Sequence, residues 1–232
     1  MLVSEVFVSI QGEGPSAGER AVFVRLAGCN LACQWCDTPY SWDWKRYDRA
    51  AETHAATVDQ MALEVCERAD PDAKLLVLTG GEPMLQQGSV AELLAELRVR
   101  RPDLRCEVET NGTVDVAPEV ADLVHRFVVS PKLGHAGASS ASRIRPEPLR
   151  AYAALPRTAF KFVVRGPSDL PEVAALRADL QLGRDQVWLM PLADTDAQLL
   201  EQAPVVAELA LQEGYNFTSR LQLLTWANAR GR

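Results

Sequence analysis

The chain has 232 residues and a formal net charge of −7 at pH 7. Its length predicts one domain with a sizeable core, because no linker-like stretch divides the sequence. The acidic balance argues against nucleic acid as a partner, since a phosphate backbone needs a basic face, and it favours a small-molecule substrate.

The five cysteines make a poor disulfide framework, because their number is odd and three of them cluster within one short stretch. This usage is typical of a reducing compartment. Cys66 and Cys106 lie in apolar patterns and are expected to be ordinary core residues. The N-terminus lacks a basic region followed by an apolar run, and no apolar stretch is long enough to span a bilayer. We therefore expect a cytoplasmic protein with no membrane partner.

The first predicted element is an extended segment over residues 2–10, where apolar and polar residues alternate. A glycine-rich turn, Gln11-Gly12-Glu13-Gly14, follows it. Its glycines would let the backbone approach a ligand, while Gln11 and Glu13 offer an amide and a carboxylate. The turn lacks the Lys-Ser/Thr of a phosphate-binding P-loop. A plain hairpin turn therefore remains an alternative to a binding loop.

The second predicted strand covers residues 21–27, with Arg25 as its only charge. A guanidinium on an otherwise apolar strand is costly to bury unless it is paired. We therefore expect Arg25 to face a carboxylate in a pocket.

Three thiols follow this strand at the spacing C-x3-C-x2-C, at Cys29, Cys33 and Cys36. Thiolates at this density are soft ligands suited to zinc, copper(I) or an iron–sulfur cluster. A closed zinc site needs four ligands and a [4Fe–4S] cluster normally has four thiolates. Because the local set stops at three, a cluster bound here would keep one iron open to a ligand that is not protein.

The three thiols could also be core residues of a helix or ligands of a zinc ion. The spacing would place three small apolar side chains on one helix face, but Gly28, Asn30 and Asp37 are poor helix formers. A three-thiol zinc site completed by a carboxylate stays open. Histidine would not complete it nearby, since the three histidines lie away from the cysteines in sequence, at His54, His125 and His135.

Helices and strands alternate along the rest of the chain, after an irregular stretch at 39–57. The predicted helices are 58–69, 87–101, 118–125, 148–155, 169–180 and 194–214, the last with Asp194 as N-cap and Gly214 at its end. The predicted strands are 74–78, 104–109, 126–129, 159–164 and 186–189. Residues 134–145 are predicted to form a mobile loop, and 220–226 a last extended segment. With 21–27, six strands alternating with helices predict an α/β fold with a parallel sheet.

Polar or charged motifs fall at the carboxyl ends of five of these strands. They are Arg25 with the cysteine loop, Thr79-Gly80-Gly81-Glu82-Pro83, Glu109-Thr110-Asn111-Gly112, Ser130-Pro131-Lys132 and Met190-Pro191. Each motif alone could be a capping turn. Ligands of parallel α/β folds gather at the carboxyl ends of strands, so together the motifs predict one binding site.

The motifs resemble those of the radical S-adenosylmethionine (SAM) enzymes, through the cysteine loop with Trp35 before its third cysteine and through Gly-Gly-Glu-Pro at 80–83. More narrowly, the chain resembles the 7-carboxy-7-deazaguanine synthase family nearly from end to end. That resemblance adds Gln11-Gly12-Glu13-Gly14, Asp37-Thr38 and the terminal Arg220-Leu221-Gln222.

The resemblance implies a partial (β/α)6 barrel, as a single domain over 1–232 with an irregular insert at about 39–57 and a C-terminal extension at about 215–232. It implies a lyase that converts 6-carboxy-5,6,7,8-tetrahydropterin to 7-carboxy-7-deazaguanine with loss of ammonia, a step of queuosine-type biosynthesis. Hydrogen abstraction would be carried out by a 5′-deoxyadenosyl radical and by no protein side chain. An activating enzyme for a glycyl-radical partner and a non-enzymatic zinc module are the alternative functions.

The resemblance also assigns site residues and partners. Cys29, Cys33 and Cys36 would hold a [4Fe–4S] cluster, and Thr38 would bind Mg²⁺. The SAM side would be formed by Gly81, Glu82, Glu109, Asn111, Ser130, Pro131, Lys132 and Met190. The substrate side would be formed by Ile10, Gln11, Gly12, Glu13, Arg25, Thr79 and Arg232. A flavodoxin or ferredoxin would donate the electron, and the enzyme would be a homodimer.

Two positions depart from the family pattern. Gln222 stands where the family usually has histidine, so one substrate contact is expected to be altered or lost. Met190 stands where some members have glutamine before the proline, which alters a side-chain contact to the cofactor.

Overall fold

A computed structural model describes residues 1–69, 73–227 and 229–232. Over these residues the strands form one nine-stranded sheet in the order β3-β1-β2-β4-β5-β6-β7-β8-β9. The strands are β1 Leu2–Ile10, β2 Arg20–Leu26, β3 His54–Ala55, β4 Leu75–Gly80, β5 Arg105–Thr110, β6 Arg126–Val129, β7 Ala159–Val164, β8 Val187–Pro191 and β9 Asn216–Phe217.

The sheet is parallel from β2 through β9, while β1 pairs antiparallel with β2 and β3 pairs antiparallel with β1. All six predicted parallel strands are therefore confirmed, and the two-residue β9 extends the parallel set. The order is linear, with β3 and β9 at its two edges. This is an open α/β architecture, in agreement with the predicted partial barrel.

Helices connect the parallel strands, and one further helix follows the last strand. They are α1 Arg49–Glu52, α2 Val58–Arg68, α3 Gln87–Arg100, α4 Pro118–Ala121, α5 Ser140–Arg143, α6 Pro146–Ala154, α7 Leu170–Asp179, α8 Asp196–Glu213 and α9 Leu221–Trp226. The main hydrophobic core joins the sheet to helical residues such as Met61 and Leu93. Strand β4 is almost wholly apolar and buried, as expected of a strand covered on both faces. Among the described residues, no helix has the length and apolar character that crossing a membrane requires.

The predicted N-cap of the longest helix is wrong by one residue. The cap is Thr195, whose side-chain oxygen accepts a hydrogen bond from the Gln198 backbone amide at 3.2 Å. Asp194 lies one residue earlier, and its own backbone amide donates to Gln198 Oε1 at 2.8 Å. Both residue types are good N-caps, so composition alone does not choose between them. Gly214 does end the helix, in the left-handed conformation.

The predicted extended segment at 220–226 is also wrong, because residues Leu221–Trp226 form helix α9. Leu223 packs in a small core with Ala193 and Leu199 at the start of α8. The apolar positions of so short a segment fit both a strand and a helix. Packing against α8 therefore decides the conformation.

The predicted loop at 134–145 contains two helical turns, a 3-10 turn at Gly134–Ala136 and helix α5. Arg143 holds this segment, since its Nη1 donates to the Lys132 carbonyl at 2.8 Å and to Glu172 Oε1 at 2.5 Å. The stretch 39–57 is mostly irregular as predicted, but it includes α1 and returns to the sheet edge as β3.

Candidate active site

A cavity of about 260 Å³ opens at the carboxyl ends of the parallel strands. The structure brings most of the predicted site residues to its wall: Ile10, Gln11, Gly12, Glu13, Arg25, Cys29, Cys33, Cys36, Thr38, Thr79, Gly81, Glu109, Asn111, Ser130, Lys132, Met190 and Arg232. Two predicted residues, Glu82 and Pro131, are not among the lining residues. The cavity therefore joins the thiols of the cysteine loop to the polar turn after β1.

The cysteine loop leaves the end of β2 and is fixed at its start by backbone hydrogen bonds. The Gly28 amide donates to the Ser41 carbonyl at 2.8 Å, and the Gly28 carbonyl accepts from the Glu82 amide at 2.8 Å. All three thiols are free and partly exposed. Burial raises the pKa of Cys29 to about 11 and also raises that of Cys33. Both are therefore protonated at neutral pH until a metal displaces the proton.

The donor set fits an iron–sulfur cluster better than a single ion. No group of three or more His, Cys, Asp or Glu side chains in residues 1–69, 73–227 and 229–232 is arranged to hold one metal ion. A zinc ion draws its thiolates to 2.3 Å from one point, whereas a four-iron cluster spreads them over separate irons. Three thiols on one loop that faces a cavity fit the four-iron cluster.

The turn after β4 packs against the cysteine loop. A Cβ atom on Gly81 would overlap the Gly28 carbonyl oxygen and lie 3.0 Å from Cys29 Cβ. Only glycine therefore permits this close approach of the two backbones. The consequence is that the Gly81 backbone borders the cavity directly beside the first thiol.

Glu82 holds the ends of two strands together. Its side chain is 0% exposed, and it accepts hydrogen bonds from Thr110 Oγ1 at 2.7 Å, the Asn111 amide at 2.7 Å and the Met84 amide at 3.0 Å. Burial raises its pKa, although these donors oppose the shift. Both carboxylate oxygens thus accept hydrogen bonds from the protein, and Glu82 is not among the residues that line the cavity.

Asn111 links the end of β5 to the cysteine loop. Its Nδ2 donates to Asn30 Oδ1 at 3.0 Å, and Asn30 Nδ2 donates to Thr113 Oγ1 at 2.7 Å. Lys132 also contacts the loop, with Nζ 5.5 Å from the centre of the Trp35 ring and 3.0 Å from Ser130 Oγ. Polar side chains from the ends of β5 and β6 therefore contact the loop.

Glu13 is the centre of a buried ionic network. It accepts from Lys161 Nζ, from Arg220 Nε at 3.0 Å and from Gln222 Nε2 at 2.7 Å. Burial alone would raise the pKa of Glu13, but Lys161 and Arg220 outweigh it and lower that pKa far below its usual value. Arg220 Nη2 also donates to Asp37 Oδ2 at 2.5 Å. The network thus ties the turn after β1 to the cysteine loop.

Lys161 is a cavity-lining residue that the sequence motifs did not include. It lies in the buried strand β7 and is 7% exposed. Like Arg25, Lys161 is the only charged residue in an otherwise apolar strand, and this pattern was visible in the sequence. The same reasoning would have predicted a carboxylate partner for it.

Gln11 separates two carboxylates on β5. Its Nε2 donates at 3.2 Å to both Glu107 Oε1 and Glu109 Oε1, and Thr79 Oγ1 donates to Glu109 Oε2 at 2.7 Å. Burial raises the pKa of Glu107. Gln11, Thr79 and Glu109 are thus hydrogen-bonded to one another at the cavity wall.

Arg25 has the carboxylate partner that the sequence predicted, and it is Glu5 on the neighbouring strand. Arg25 Nε donates to Glu5 Oε1 at 2.7 Å. Glu5 also accepts from the Tyr40 hydroxyl at 2.7 Å and from Arg230 Nε at 3.3 Å. The Nη groups of Arg25 make no hydrogen bond to the described part of the chain. Because Arg25 lines the cavity, they are available to a ligand.

Comparison with known proteins agrees with this geometry. The model of the radical SAM superfamily matches residues 24–147. A protein named 7-carboxy-7-deazaguanine synthase from Pyrobaculum aerophilum is 36% identical over 99% of this chain and 96% of its own length. One of the same name from Halobacterium salinarum is 37% identical, over 98% of this chain and 91% of its own.

The chain belongs to the 7-carboxy-7-deazaguanine synthase family. Membership in this branch of the radical SAM superfamily implies a [4Fe–4S] cluster and S-adenosylmethionine. A solved structure titled as QueE from Escherichia coli matches with a TM-score of 0.68 at 23% identity, over 94% of this chain and 92% of that one. At that identity the likeness supports the fold alone.

The two departures from the synthase pattern both lie at the cavity wall. Gln222 keeps a polar contact, because its Nε2 donates to Glu13, and its Oε1 is buried without a hydrogen-bond partner in the described residues. Met190 presents an apolar side chain that is 5% exposed. The unpaired oxygen of Gln222 lies against Gly12, where a Cβ atom would come within 1.9 Å of it.

Proposed function

We propose that this member of the synthase family is a carbon–nitrogen lyase that converts 6-carboxy-5,6,7,8-tetrahydropterin to 7-carboxy-7-deazaguanine with release of ammonia. The observation that carries the proposal is the single cavity that joins three free thiols to a free guanidinium edge and a buried carboxylate network. The full-length relatives of that name favour the synthase over a glycyl-radical activating enzyme or a zinc module.

Cys29, Cys33 and Cys36 would hold the cluster, and the iron left without a thiolate would take S-adenosylmethionine. Together these groups supply a one-electron cleavage of the sulfonium and, through it, abstraction of a hydrogen atom from the substrate. The chain supplies position and charge. Lys132 offers a cation to a carboxylate, and the Gly81 backbone lets a ligand come close to the first thiol.

The substrate would lie on the side of the cavity formed by the turn after β1. The free Nη groups of Arg25 suit a carboxylate, which they can bind through two parallel hydrogen bonds. Glu5 holds the guanidinium through Nε, so its orientation is fixed before the ligand arrives. Preorganisation of this kind reduces the entropy lost on binding.

Gln222 would contribute an acceptor to the substrate side. The Glu13 carboxylate can only accept, so the amide nitrogen of Gln222 must face it and the oxygen must point away. That oxygen is buried and has no partner among the described residues. A buried acceptor without a partner costs about 1–3 kcal/mol, which a ligand N–H would recover.

The remaining assignments are also proposals. Thr38 would bind Mg²⁺, which is supported by its position on the cavity wall beside Asp37 and by the preference of Mg²⁺ for a few protein oxygens plus water. Ile10, which is 42% exposed, and Arg232 would border the substrate. The family resemblance supports a flavodoxin- or ferredoxin-type electron donor, a homodimer and a cytoplasmic location.

The test is an anaerobic assay of the reconstituted protein with 6-carboxy-5,6,7,8-tetrahydropterin, followed by mass analysis for the deazaguanine product. We expect product from the wild type and none from Cys29→Ala, Cys33→Ala or Cys36→Ala. Cofactor cleavage that survives in the three cysteine variants would contradict the cluster assignment. An iron-loaded wild type that cleaves the cofactor but leaves the pterin unchanged would contradict the substrate.

The variant Arg25→Ala tests the proposed substrate site separately from the proposed cofactor site. We expect it to lower pterin turnover far more than uncoupled cofactor cleavage, because the substrate carboxylate loses its partner while the three thiols keep their surroundings. Glu5 also loses its ion pair with Arg25 but keeps its hydrogen bonds from Tyr40 and Arg230. Equal loss of both activities would place Arg25 outside the substrate site.

A further inference from the structure

Trp42 brings a hydrogen-bond donor to one of the three thiols. Its indole Nε1 lies 3.2 Å from Cys36 Sγ, and both side chains line the cavity. The hydroxyl of Thr38 is farther from the same sulfur, at 3.9 Å. The indole is thus the closest donor to Cys36, and it is a side-chain group that a substitution can remove.

The direction of this hydrogen bond is fixed by chemistry. An indole N–H can only donate, and a thiolate bound to a metal has no proton and can only accept. In the cluster-bound protein this pair can therefore interact only as N–H···S. Cys29 receives only a longer backbone donor, the Leu31 amide at 3.4 Å. Cys33 Sγ receives no donor within the described ranges, so the three sulfurs differ in their surroundings.

The indole is held in place by the start of the 39–57 stretch. The Trp42 backbone amide donates to the Pro39 carbonyl at 3.1 Å, at the end of the short 3-10 turn Pro39–Ser41. The Ser41 carbonyl in turn accepts from the Gly28 amide at 2.8 Å. Trp42 is therefore anchored to the same backbone that begins the cysteine loop.

We propose that Trp42 is a positioning residue that raises the reduction potential of the cluster through its hydrogen bond to Cys36. The inference rests on the proposed function, because it needs the cluster. Hydrogen bonds to the sulfurs are among the factors that set the potential of such clusters. Reduction by one electron, from a low-potential electron donor of the ferredoxin class, makes the sulfurs more negative. The indole N–H therefore stabilises the reduced cluster more than the oxidised one.

Trp42→Phe keeps an aromatic ring and removes the N–H. Trp44→Phe is the matched control, because Trp44 is not among the cavity-lining residues and stacks instead against Arg49 at 6.0 Å. The midpoint potential is measured by EPR-monitored redox titration of the reconstituted protein without pterin. At equal iron and sulfide content, we expect a more negative midpoint for Trp42→Phe and an unchanged one for Trp44→Phe. A Trp42→Phe midpoint equal to that of the wild type would overturn the proposal.

A second measurement uses wild-type protein labelled with [indole-¹⁵N]tryptophan. Pulsed EPR of the reduced cluster should detect a ¹⁵N coupling that survives in Trp35→Phe, which removes the neighbouring indole. Absence of the coupling in the wild type, or its loss in Trp35→Phe, would overturn the proposal even if Trp42→Phe failed to take up iron. A wild type that binds no cluster at all would instead overturn the proposed function.

Discussion

At the scale of single residues, the site depends on charges that are buried but balanced. Glu13 carries one negative charge against Lys161 and Arg220, and Asp37 supplies a second negative charge on the far side of Arg220. Removal of one partner from such a group leaves an uncompensated buried charge, which is strongly destabilising. Glu13, Lys161 and Arg220 are therefore each needed for the stability of the others, whereas Asp37 is 41% exposed and contributes less.

Glu13→Gln tests this balance. We expect the free energy of unfolding to fall by about 3–5 kcal/mol at pH 7, because the two cations lose their shared carboxylate. The control is Glu201→Gln, at an exposed position of α8, which should change the free energy of unfolding by less than about 0.5 kcal/mol. Denaturant unfolding measures both. A loss no larger than that of the control would show that the network does not stabilise the fold.

The pH dependence of the same variant follows from the pKa of Glu13. Because the folded state lowers this pKa, the stabilisation is fully present above the unfolded value of about 4.3 and is lost as the pH falls from there toward the lowered folded value. We therefore expect the difference in unfolding free energy between wild type and Glu13→Gln to be constant from pH 7 to 5. It should shrink between pH 4.5 and 3, and a difference that grew on acidification would contradict the assignment.

Gln222→Met removes both the donor to Glu13 and the buried acceptor while it keeps the length of the side chain. Loss of the acceptor leaves a ligand N–H buried without a partner, which costs about 1–3 kcal/mol, so we expect KM for the pterin to rise by about 5- to 150-fold. Gln222→His, with the residue usual in the family, should retain most of the affinity. Gln212→Met, at an exposed position of α8, is the control. An unchanged KM in Gln222→Met would remove Gln222 from the substrate site.

At the scale of secondary-structure elements, the cysteine loop and the turn after β4 are fitted to one another through glycine. Gly81→Ala would place a methyl group against the Gly28 carbonyl, and backbone cannot move away as a flexible side chain can. We expect this variant to bind less iron after reconstitution and to unfold at a lower temperature. Iron analysis and thermal denaturation measure the two effects.

Gly88→Ala is the matched control for Gly81→Ala. Gly88 lies in helix α3, and a Cβ there would meet nothing within 4 Å. Alanine favours a helix over glycine by about 1 kcal/mol, so Gly88→Ala should be neutral or stabilising. If the two variants bind the same amount of iron, the close approach at Gly81 has no role in forming the loop.

The buried parallel strands were predictable from the sequence, and the short peripheral elements β3, β9, α1, α5 and α9 were not. The buried parallel strands were identified because continuous apolar runs as short as that of β4 are typical of strands covered on both faces. Helix α9 was missed because its conformation depends on contacts with α8, which is a tertiary effect. The site was predicted as a ring of motifs, since strand ends converge by topology. The ion pairs within the site were not predicted, because they join residues that are distant in sequence: Glu13 and Arg220 are 207 residues apart.

At the scale of the whole molecule, the thiols and the main core are separate. None of the three loop cysteines belongs to the hydrophobic cluster that joins the sheet to the helices. We therefore expect the iron-free protein to keep its far-UV circular dichroism and a single cooperative thermal transition. Cluster loading should raise the melting temperature, since a ligand that binds only the native state stabilises it. Loss of cooperative unfolding on iron removal would show that the cluster is part of the core.

The ionic network around Glu13 also constrains how this cavity can be changed. Its members come from the turn after β1, the cysteine loop, strand β7 and the segment that starts α9. A redesign for an uncharged heterocycle would have to replace the carboxylate and both cations in one step, because every single replacement passes through a protein with an unpaired buried charge. For the same reason, we expect relatives that differ at one of these charged positions to differ at the others too, so that the charges stay balanced.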